Sequence, residues 1–232
     1  MFGLFYFDWT LIIVLPAFIF SLWAQFKVNS TFEKYSKQYT RRGITGADAA
    51  RRVLNENGLY DVRIEHISGS LTDHYDPREN VIRLSDSVYA SSSSAAVGVA
   101  CHEAGHAVQH ARGYFPIKVR MAVIPATRFG SMLSIPLFML GLILATDILM
   151  LAGILLYAVV AFFQLVTLPV EFNASRRAMA AIRSSGMLSP DECTASRKVL
   201  TAAAMTYVAA LATSLLTLLR LLVLAGGRSN RR

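Results

Sequence analysis

The chain has 232 residues, of which 54% are hydrophobic and only 16% are charged, fewer charges than an ordinary soluble domain carries. This composition excludes a disordered protein, because so much apolar surface must be buried in a core or in a membrane. The net charge of +8 would suggest nucleic acid as a partner of a soluble chain, but here it must be compared with the apolar segments. The two cysteines, Cys101 and Cys193, exclude a disulfide framework and a four-thiolate zinc site.

Four stretches without charged residues are long enough to cross a membrane as helices, because a helix needs about 20 residues to do so. Each stretch lies between two charged residues. The stretches contain 18 residues between Asp8 and Lys27, 18 between Arg128 and Asp147, 23 between Asp147 and Glu171, and 21 between Lys198 and Arg220. We predict an uncleaved transmembrane anchor at 1–26, a transmembrane hairpin at 129–168 with spans 129–146 and 148–168, and a transmembrane helix at 200–225. Asp147 then lies at the tip of the hairpin.

Basic residues predict the orientation of these spans. Residues 27–128 contain 14 Lys and Arg residues and 169–199 contain five, whereas the hairpin tip contains none. Because cytoplasmic loops are enriched in Lys and Arg, both polar segments are expected in the cytoplasm and the N-terminus outside. Either the basic tail 226–232 then lies outside, against its charge, or the last helix is re-entrant or interfacial. Arg220 within that helix should snorkel or face protein.

The segment 27–128 is long enough for one small α+β domain. Thr45–Gly58 has a capping residue, an apolar face and a terminal glycine, which predict a helix. Asp61–Ser68 and Asn80–Ser85 are predicted strands, and Asp73–Glu79 between them is rich in turn residues. A second helix is predicted from about Ala95 to Arg112.

The sequence His-Glu-Ala-Gly-His at 102–106 carries the predicted chemistry. On a helix, residues four apart share one face, so His102 and His106 can bind one zinc ion. Glu103 is displaced around the helix, where its carboxylate can act as general base on a water molecule beside the metal. The alternative is two solvated histidines on an ordinary helix.

A catalytic zinc site needs a third protein ligand and one open position. His110 is unsuitable, because it lies about 12 Å along the helix from His102. Glu171 is favoured, because it follows a long apolar span, where a carboxylate is costly unless it binds something. Pro169 just before it is predicted to begin a new helix. The alternative for Glu171 is an interfacial ion pair with Arg176 or Arg177.

Three segments together resemble the YugP-type membrane neutral zinc metallopeptidases of bacteria. They are His102–Gln109 (HEAGHAVQ), Glu171–Ser175 (EFNAS) and Asp73–Pro77 (DHYDP). A more distant resemblance links the chain to the HtpX and CAAX prenyl protease group, in which a membrane hairpin also separates the zinc helix from a helix with a glutamate ligand. That group carries an aspartate where this chain has Ser175, which can make a hydrogen bond but lacks the charge.

The resemblance implies an α-helical membrane protein with a small α+β zincin-like cytoplasmic domain, in the bacterial inner membrane. It implies one Zn²⁺ per chain, held in a gluzincin-like site by His102, His106 and Glu171, with Glu103 as catalytic base. The implied partners are the lipid bilayer and a protein or peptide substrate, with no nucleic acid. The oligomeric state stays open.

Further residues have two interpretations each. His74 and Tyr75 are candidate oxyanion donors, or they simply close a turn. The strand Asn80–Ser85 could pair with an extended substrate. The predicted function is a membrane-embedded zinc-dependent endopeptidase that cleaves membrane or membrane-proximal proteins at the cytoplasmic face. The alternative is a non-proteolytic membrane scaffold that keeps a zinc site.

Overall fold

The computed structural model describes residues 9–229, except for the side chains of 228 and 229. Within this range the chain forms six helices and three strands. In chain order they are α1 (Leu11–Ser36), α2 (Gly46–Glu56), β1 (Arg63–Ile67), β2 (His74–Asp76), β3 (Val81–Ser85), α3 (Ser94–Ala111), α4 (Phe115–Ile143), α5 (Asp147–Ser184) and α6 (Pro190–Ser229). The start of the predicted anchor, with Asp8, and the end of the predicted basic tail, with Arg231 and Arg232, lie outside the described residues.

The chain divides into two compact units. One, called here the helical unit, contains the described residues 9–23, 119–167 and 207–229. The other, called the mixed unit, contains residues 24–118 and 168–206 and includes all three strands. The mixed unit therefore combines residues from both predicted polar segments, although the predicted hairpin separates these segments in the sequence.

Four helices are long and apolar enough to cross a membrane: Leu11–Ser36, Phe115–Ile143, Asp147–Ser184 and Pro190–Gly227. They confirm the prediction of four apolar helices, but each begins or ends well beyond its apolar run. A charged residue such as Lys27 limits the part of a helix that fits in lipid, whereas it does not break the backbone hydrogen bonds of the helix.

The predicted hairpin is present in the helical unit, where α4 and α5 pack through glycines. A Cβ atom on Gly130 would lie 2.7 Å from the carbonyl oxygen of Leu156, and one on Gly153 would lie 2.7 Å from the backbone nitrogen of Phe138. Small residues at such positions let two apolar helices approach closely and gain dispersion energy. Ala145 has a φ of 60° in the turn between the helices, so Asp147 begins α5 at the tip, as predicted.

Arg220 contacts protein within the helical unit. Its Nε donates a hydrogen bond to the hydroxyl of Thr10 over 3.0 Å, and Thr10 is buried. Of the two predicted alternatives for this arginine, snorkelling or facing protein, the structure therefore confirms that it faces protein.

The prediction that Pro169 begins a new helix is wrong, because α5 runs without a break from Asp147 to Ser184. An internal proline costs about 3 kcal/mol, since it removes one backbone hydrogen bond and crowds the preceding turn. The helix continues because its other residues keep their intrahelical bonds, and apolar helices often tolerate proline. In the same way, α4 contains Pro125 and Pro136.

The sheet has the strand order β1-β3-β2, with β1 parallel and β2 antiparallel to β3. The two predicted strands are confirmed as β1 and β3. The predicted turn at Asp73–Glu79 also contains a strand, β2, because His74–Asp76 pairs with Val81–Arg83 across a tight turn. Since β3 has a partner on both edges, it offers no free backbone to a substrate, and the prediction that this strand binds one is wrong.

The core of the mixed unit forms around α3. Helix α2 begins with the predicted cap. The Thr45 side chain accepts a hydrogen bond from the backbone amide of Asp48, and the Asp48 carboxylate accepts one from the backbone amide of Thr45. Its apolar face, including Val53 and Leu54, is buried against a core that also contains Leu84 of β3. This packing covers most of α3 and so removes its polar side chains from bulk water.

Candidate metal centre

Helix α3 forms because its N-terminus is capped and its residues are small. The hydroxyl of Ser93 accepts a hydrogen bond from the amide of Ala96 over 3.2 Å, and alanines follow. The helix is buried on almost all sides, with the side chains of Glu103, His106 and Gln109 inside the unit. An unpaired polar side chain this deep destabilises a fold, so a buried polar group without a partner is a candidate functional group.

Three side chains meet at one point of the mixed unit and form what we call the His–His–Glu triangle: His102, His106 and Glu171. The Nε2 atoms of the two histidines are 3.1 Å apart. The Oε2 atom of Glu171 lies 3.2 Å from Nε2 of His102 and 3.4 Å from Nε2 of His106. The structure therefore brings the three predicted ligands together, although 65 residues separate His106 from Glu171.

The triangle fits a tetrahedral zinc ion. Zinc binds histidine nitrogen and carboxylate oxygen at about 2.1 Å, so ligand atoms around one ion lie about 3.4 Å from each other. The observed distances of 3.1, 3.2 and 3.4 Å match this spacing. Two imidazoles and one carboxylate also suit zinc better than magnesium or calcium. Among residues 9–229 the group that could hold a metal ion has three members, so an ion bound there would keep a fourth position for water or substrate, as catalytic sites do.

Electrostatics also favours a cation at this point. Burial alone would lower the pKa of His106, but its hydrogen bond with Glu171 and the charges of Glu103 and Glu171 outweigh burial and raise that pKa. Close to the motif, burial raises the pKa of Asp73 despite hydrogen bonds from Ser85, and the charge of Glu103 raises it further. The site therefore attracts positive charge, whether this is a proton or a metal ion.

Glu103 and Ser175 are the two further polar residues whose roles depend on the triangle. Glu103 is buried, and within residues 9–229 its carboxylate makes no hydrogen bond or ion pair. The hydroxyl of Ser175 lies 3.1 Å from Nδ1 of His102, on the side of the ring away from the triangle. Ser175 thus contacts a histidine as the aspartate of the distant relatives is expected to do, but without a charge.

The other candidates have partners outside the triangle. Tyr75 donates its hydroxyl to Oδ1 of Asn80 over 3.0 Å, and His110 packs edge-on against its ring. His74 is exposed, and its Nδ1 lies 2.9 Å from the carbonyl oxygen of Thr72. The structure therefore does not bring these residues into the triangle.

Sequence reasoning missed two polar residues beside the triangle, Gln109 and Asn173. Gln109 is fully buried, and its side chain contacts His106, Val170 and Asn173. The sequence contains a signal, because Gln109 lies three residues after His106 on the same helix face, and Asn173 lies two residues after Glu171. Their importance depends on the packing of α3 against α5, which no local pattern reveals.

Gly105, inside the motif, allows this packing. A Cβ atom at this position would lie 2.8 Å from the carbonyl oxygen of Ala174, one turn beyond Glu171 on α5. Real Cβ atoms do not approach backbone oxygen so closely, so a side chain here must move one helix. The glycine of the motif therefore determines how near Glu171 can come to the two histidines.

We predict that Gly105→Ala lowers zinc affinity at least about tenfold, because a small displacement of one ligand removes much of the benefit of a preformed site. Competition with a chromophoric chelator measures this affinity. Gly226→Ala in α6 is the matched control, since no heavy atom lies within 4 Å of its added Cβ, and it should bind zinc as the wild type does. Equal affinity of both variants would contradict the packing argument.

Comparisons with known proteins agree with this centre. Residues 10–226 match the model of a family described as "Putative neutral zinc metallopeptidase". The chain is also similar to a protein of Bacillus subtilis (strain 168) named "Putative membrane protease YugP", with 50% identity over 204 residues, 88% of this chain and 91% of the relative. No solved structure matches the chain. Because the family model covers α1 to α5 and most of α6, together with the His–His–Glu triangle, the chain belongs to this family of neutral zinc metallopeptidases.

Proposed function

We propose that the protein is a membrane-embedded, zinc-dependent endopeptidase that cleaves membrane or membrane-proximal proteins at the cytoplasmic face. His102, His106 and Glu171 hold one zinc ion, and Glu103 is the general base. The observation that carries the proposal is the His–His–Glu triangle, with ligand atoms 3.1 to 3.4 Å apart and a buried carboxylate on the adjoining residue.

The residues have separate tasks in the reaction. Zinc bound by the triangle would polarise the scissile carbonyl group and make a nearby water molecule more acidic. Glu103 then takes a proton from this water and later delivers it to the leaving amine, so that one carboxylate serves as base and acid. Ser175 and Gln109 hold the rings of His102 and His106 in place through their Nδ1 atoms.

An extended substrate would pair with an edge strand of the sheet. Strand β2 contacts α3, which carries the two histidines, whereas the other edge strand, β1, contacts α2. His74 and Tyr75 lie on β2 and stay candidates for oxyanion donors. For this role the hydroxyl of Tyr75 must give up its hydrogen bond to Asn80 and donate to the oxyanion of the substrate instead. Tyr75→Phe should therefore lower kcat more than it changes KM.

The first test of the proposal is removal of the metal. Purified protein in detergent is expected to contain about one zinc per chain and to cleave casein. A strong chelator should remove both the zinc and the activity, and added zinc should restore them. A wild-type protein that binds zinc and never cleaves casein or a membrane-protein substrate would instead support the non-proteolytic scaffold.

The orientation in the membrane is a second expectation. The 14 basic residues at 27–128 and the five at 169–199 favour the cytoplasm, and the hairpin tip with none favours the outside. In a background with Cys101→Ala and Cys193→Ala, Thr146→Cys should react with an impermeant thiol reagent added to intact cells. Lys37→Cys is the control, since Lys37 is exposed, and it should react only after lysis. The opposite pattern would place the site on the outer face.

A further inference from the structure

Gln109 is the only glutamine among residues 9–229 that is completely buried. It lies on α3 three residues after His106, so the two side chains share one face of the helix. A primary amide has a carbonyl oxygen that accepts hydrogen bonds and a nitrogen that donates two. The surroundings of Gln109 satisfy each of these groups, and they do so in only one orientation of the amide.

The side chain nitrogen of Gln109 faces α5. Its Nε2 donates to the backbone carbonyl of Val170 over 2.8 Å and to Oδ1 of Asn173 over 3.0 Å. A backbone carbonyl can only accept, so the amide nitrogen must point towards Val170. Asn173 is oriented independently, because the Nε of Arg177 also donates to its Oδ1, over 2.8 Å. Two acceptors thus determine where the amide nitrogen of Gln109 lies.

The side chain oxygen of Gln109 therefore faces His106. Its Oε1 lies 3.0 Å from Nδ1 of this histidine, and an amide oxygen can only accept. The proton of a neutral His106 is then on Nδ1, which leaves Nε2 with a free electron pair. It is Nε2 of His106 that lies 3.1 Å from Nε2 of His102 and 3.4 Å from Oε2 of Glu171.

We propose that Gln109 is a positioning residue that holds His106 as the Nδ1–H tautomer with Nε2 facing the metal, and that links this histidine to the helix bearing Glu171. The inference rests on the proposed function, since it assumes that the triangle binds zinc. One side chain thereby joins two ligands from different helices, because Val170, its acceptor, directly precedes Glu171. His102 differs, because its Nδ1 contacts the Ser175 hydroxyl, which can donate or accept and so selects no tautomer.

Two substitutions separate the two tasks of Gln109. Gln109→Met has a similar length but no hydrogen-bonding group except a weakly accepting sulfur, so it removes both tasks. Gln109→Glu keeps an oxygen that accepts from Nδ1 of His106, but it brings a second oxygen against the oxygens of Val170 and Asn173. Gln38→Met is the matched control, because within the described part of the chain the side chain of Gln38 makes no hydrogen bond.

The tautomer is measured by NMR of ¹⁵N-histidine-labelled, metal-free protein in detergent, at a pH high enough to keep His106 neutral, because its pKa is raised. The five histidines give few signals, and His106→Ala identifies the one of interest. In the wild type and in Gln38→Met, Nδ1 of His106 should show the shift of a protonated nitrogen and Nε2 that of a bare one. Gln109→Met should show a mixture of tautomers, and Gln109→Glu should keep the wild-type pattern.

Zinc affinity is the second measurement, made by chelator competition. Gln109→Met should weaken binding about 10- to 100-fold, as residues behind metal-binding histidines commonly do, and Gln38→Met should not. A wild-type tautomer and a wild-type affinity in Gln109→Met would overturn the inference. If Gln109→Met does not fold, a mixture of tautomers in folded Gln109→Glu would overturn it equally. A wild-type protein that binds no zinc would refute the proposed function itself, which distinguishes the two failures.

Discussion

Glu103→Gln is expected to abolish peptide hydrolysis and to leave zinc binding unchanged. Glutamine has nearly the same shape, but it cannot take a proton from water, and general base catalysis typically contributes about 10²- to 10⁴-fold to a rate. Within the described residues the Glu103 carboxylate makes no hydrogen bond, so the substitution leaves the His–His–Glu triangle intact. Casein cleavage and zinc content, measured on the same preparation, check both parts of this prediction.

The ligand variants are the matched comparison. His102→Ala, His106→Ala and Glu171→Ala each remove one of three ligands, so each should lose most of its zinc together with its activity. A Glu103→Gln protein that loses its zinc would show that Glu103 binds the metal rather than serving as base. Full zinc and full activity in Glu171→Ala would show that another group is the third ligand. Asp191, Glu192 and His74 would then be tested, although the Glu192 carboxylate already accepts two backbone hydrogen bonds.

Replacing residues 129–168 by a flexible Gly/Ser linker is expected to destroy zinc binding, even though α1 and α6 still anchor the protein. Helix α5 is continuous from Asp147 to Ser184, so the replaced residues from Asp147 onward and Glu171 belong to one helix. Without the first part of this helix, the carboxylate loses its fixed position, and a ligand that is misplaced by about 1 Å loses much of its effect. Zinc content of the detergent-purified protein is the measurement.

A smaller replacement is the control for this experiment. Exchanging only residues 129–146 for the linker removes most of the apolar part of α4 and leaves α5 whole. It should retain more zinc than the larger replacement if α5 positions Glu171. Retained zinc and peptidase activity in the protein that lacks 129–168 would show instead that the hairpin is a passive anchor.

The helices and most strands were predictable because their signals are local. The apolar run between Asp147 and Glu171 predicts a long helix, and Thr45 followed by Asp48 predicts the start of α2. Strand β2 was missed because three residues within a turn-rich segment become a strand only by pairing with β3. The continuation of α5 through Pro169 was missed because the penalty of one proline is local, whereas the stability of a long helix is a sum over its whole length.

The three residues of the His–His–Glu triangle were predictable for two different reasons. His102 and His106 follow from helix geometry, since a spacing of four residues places both on one face. Glu171 was selected because a carboxylate at the end of an apolar run has a high energy unless it has a partner. The sequence could not exclude the alternative, an ion pair with Arg176 or Arg177. In the structure Glu171 contacts both histidines and Arg177 contacts Asn173, which supports the metal interpretation.

The sequence by itself determined which residues are candidates for the chemistry: two histidines four apart and a glutamate between them. It also determined the apolar segments that are long enough for a membrane. Only the tertiary structure decided how these residues are arranged. Gly105 sets the distance between α3 and α5, and Gln109 connects His106 to the backbone just before Glu171. The physical reason is separation along the chain, because helix spacing and the length of an apolar run depend only on residues within a few helical turns of each other. The packing of two helices depends instead on side chains that lie about 60 residues apart and meet only in the folded protein.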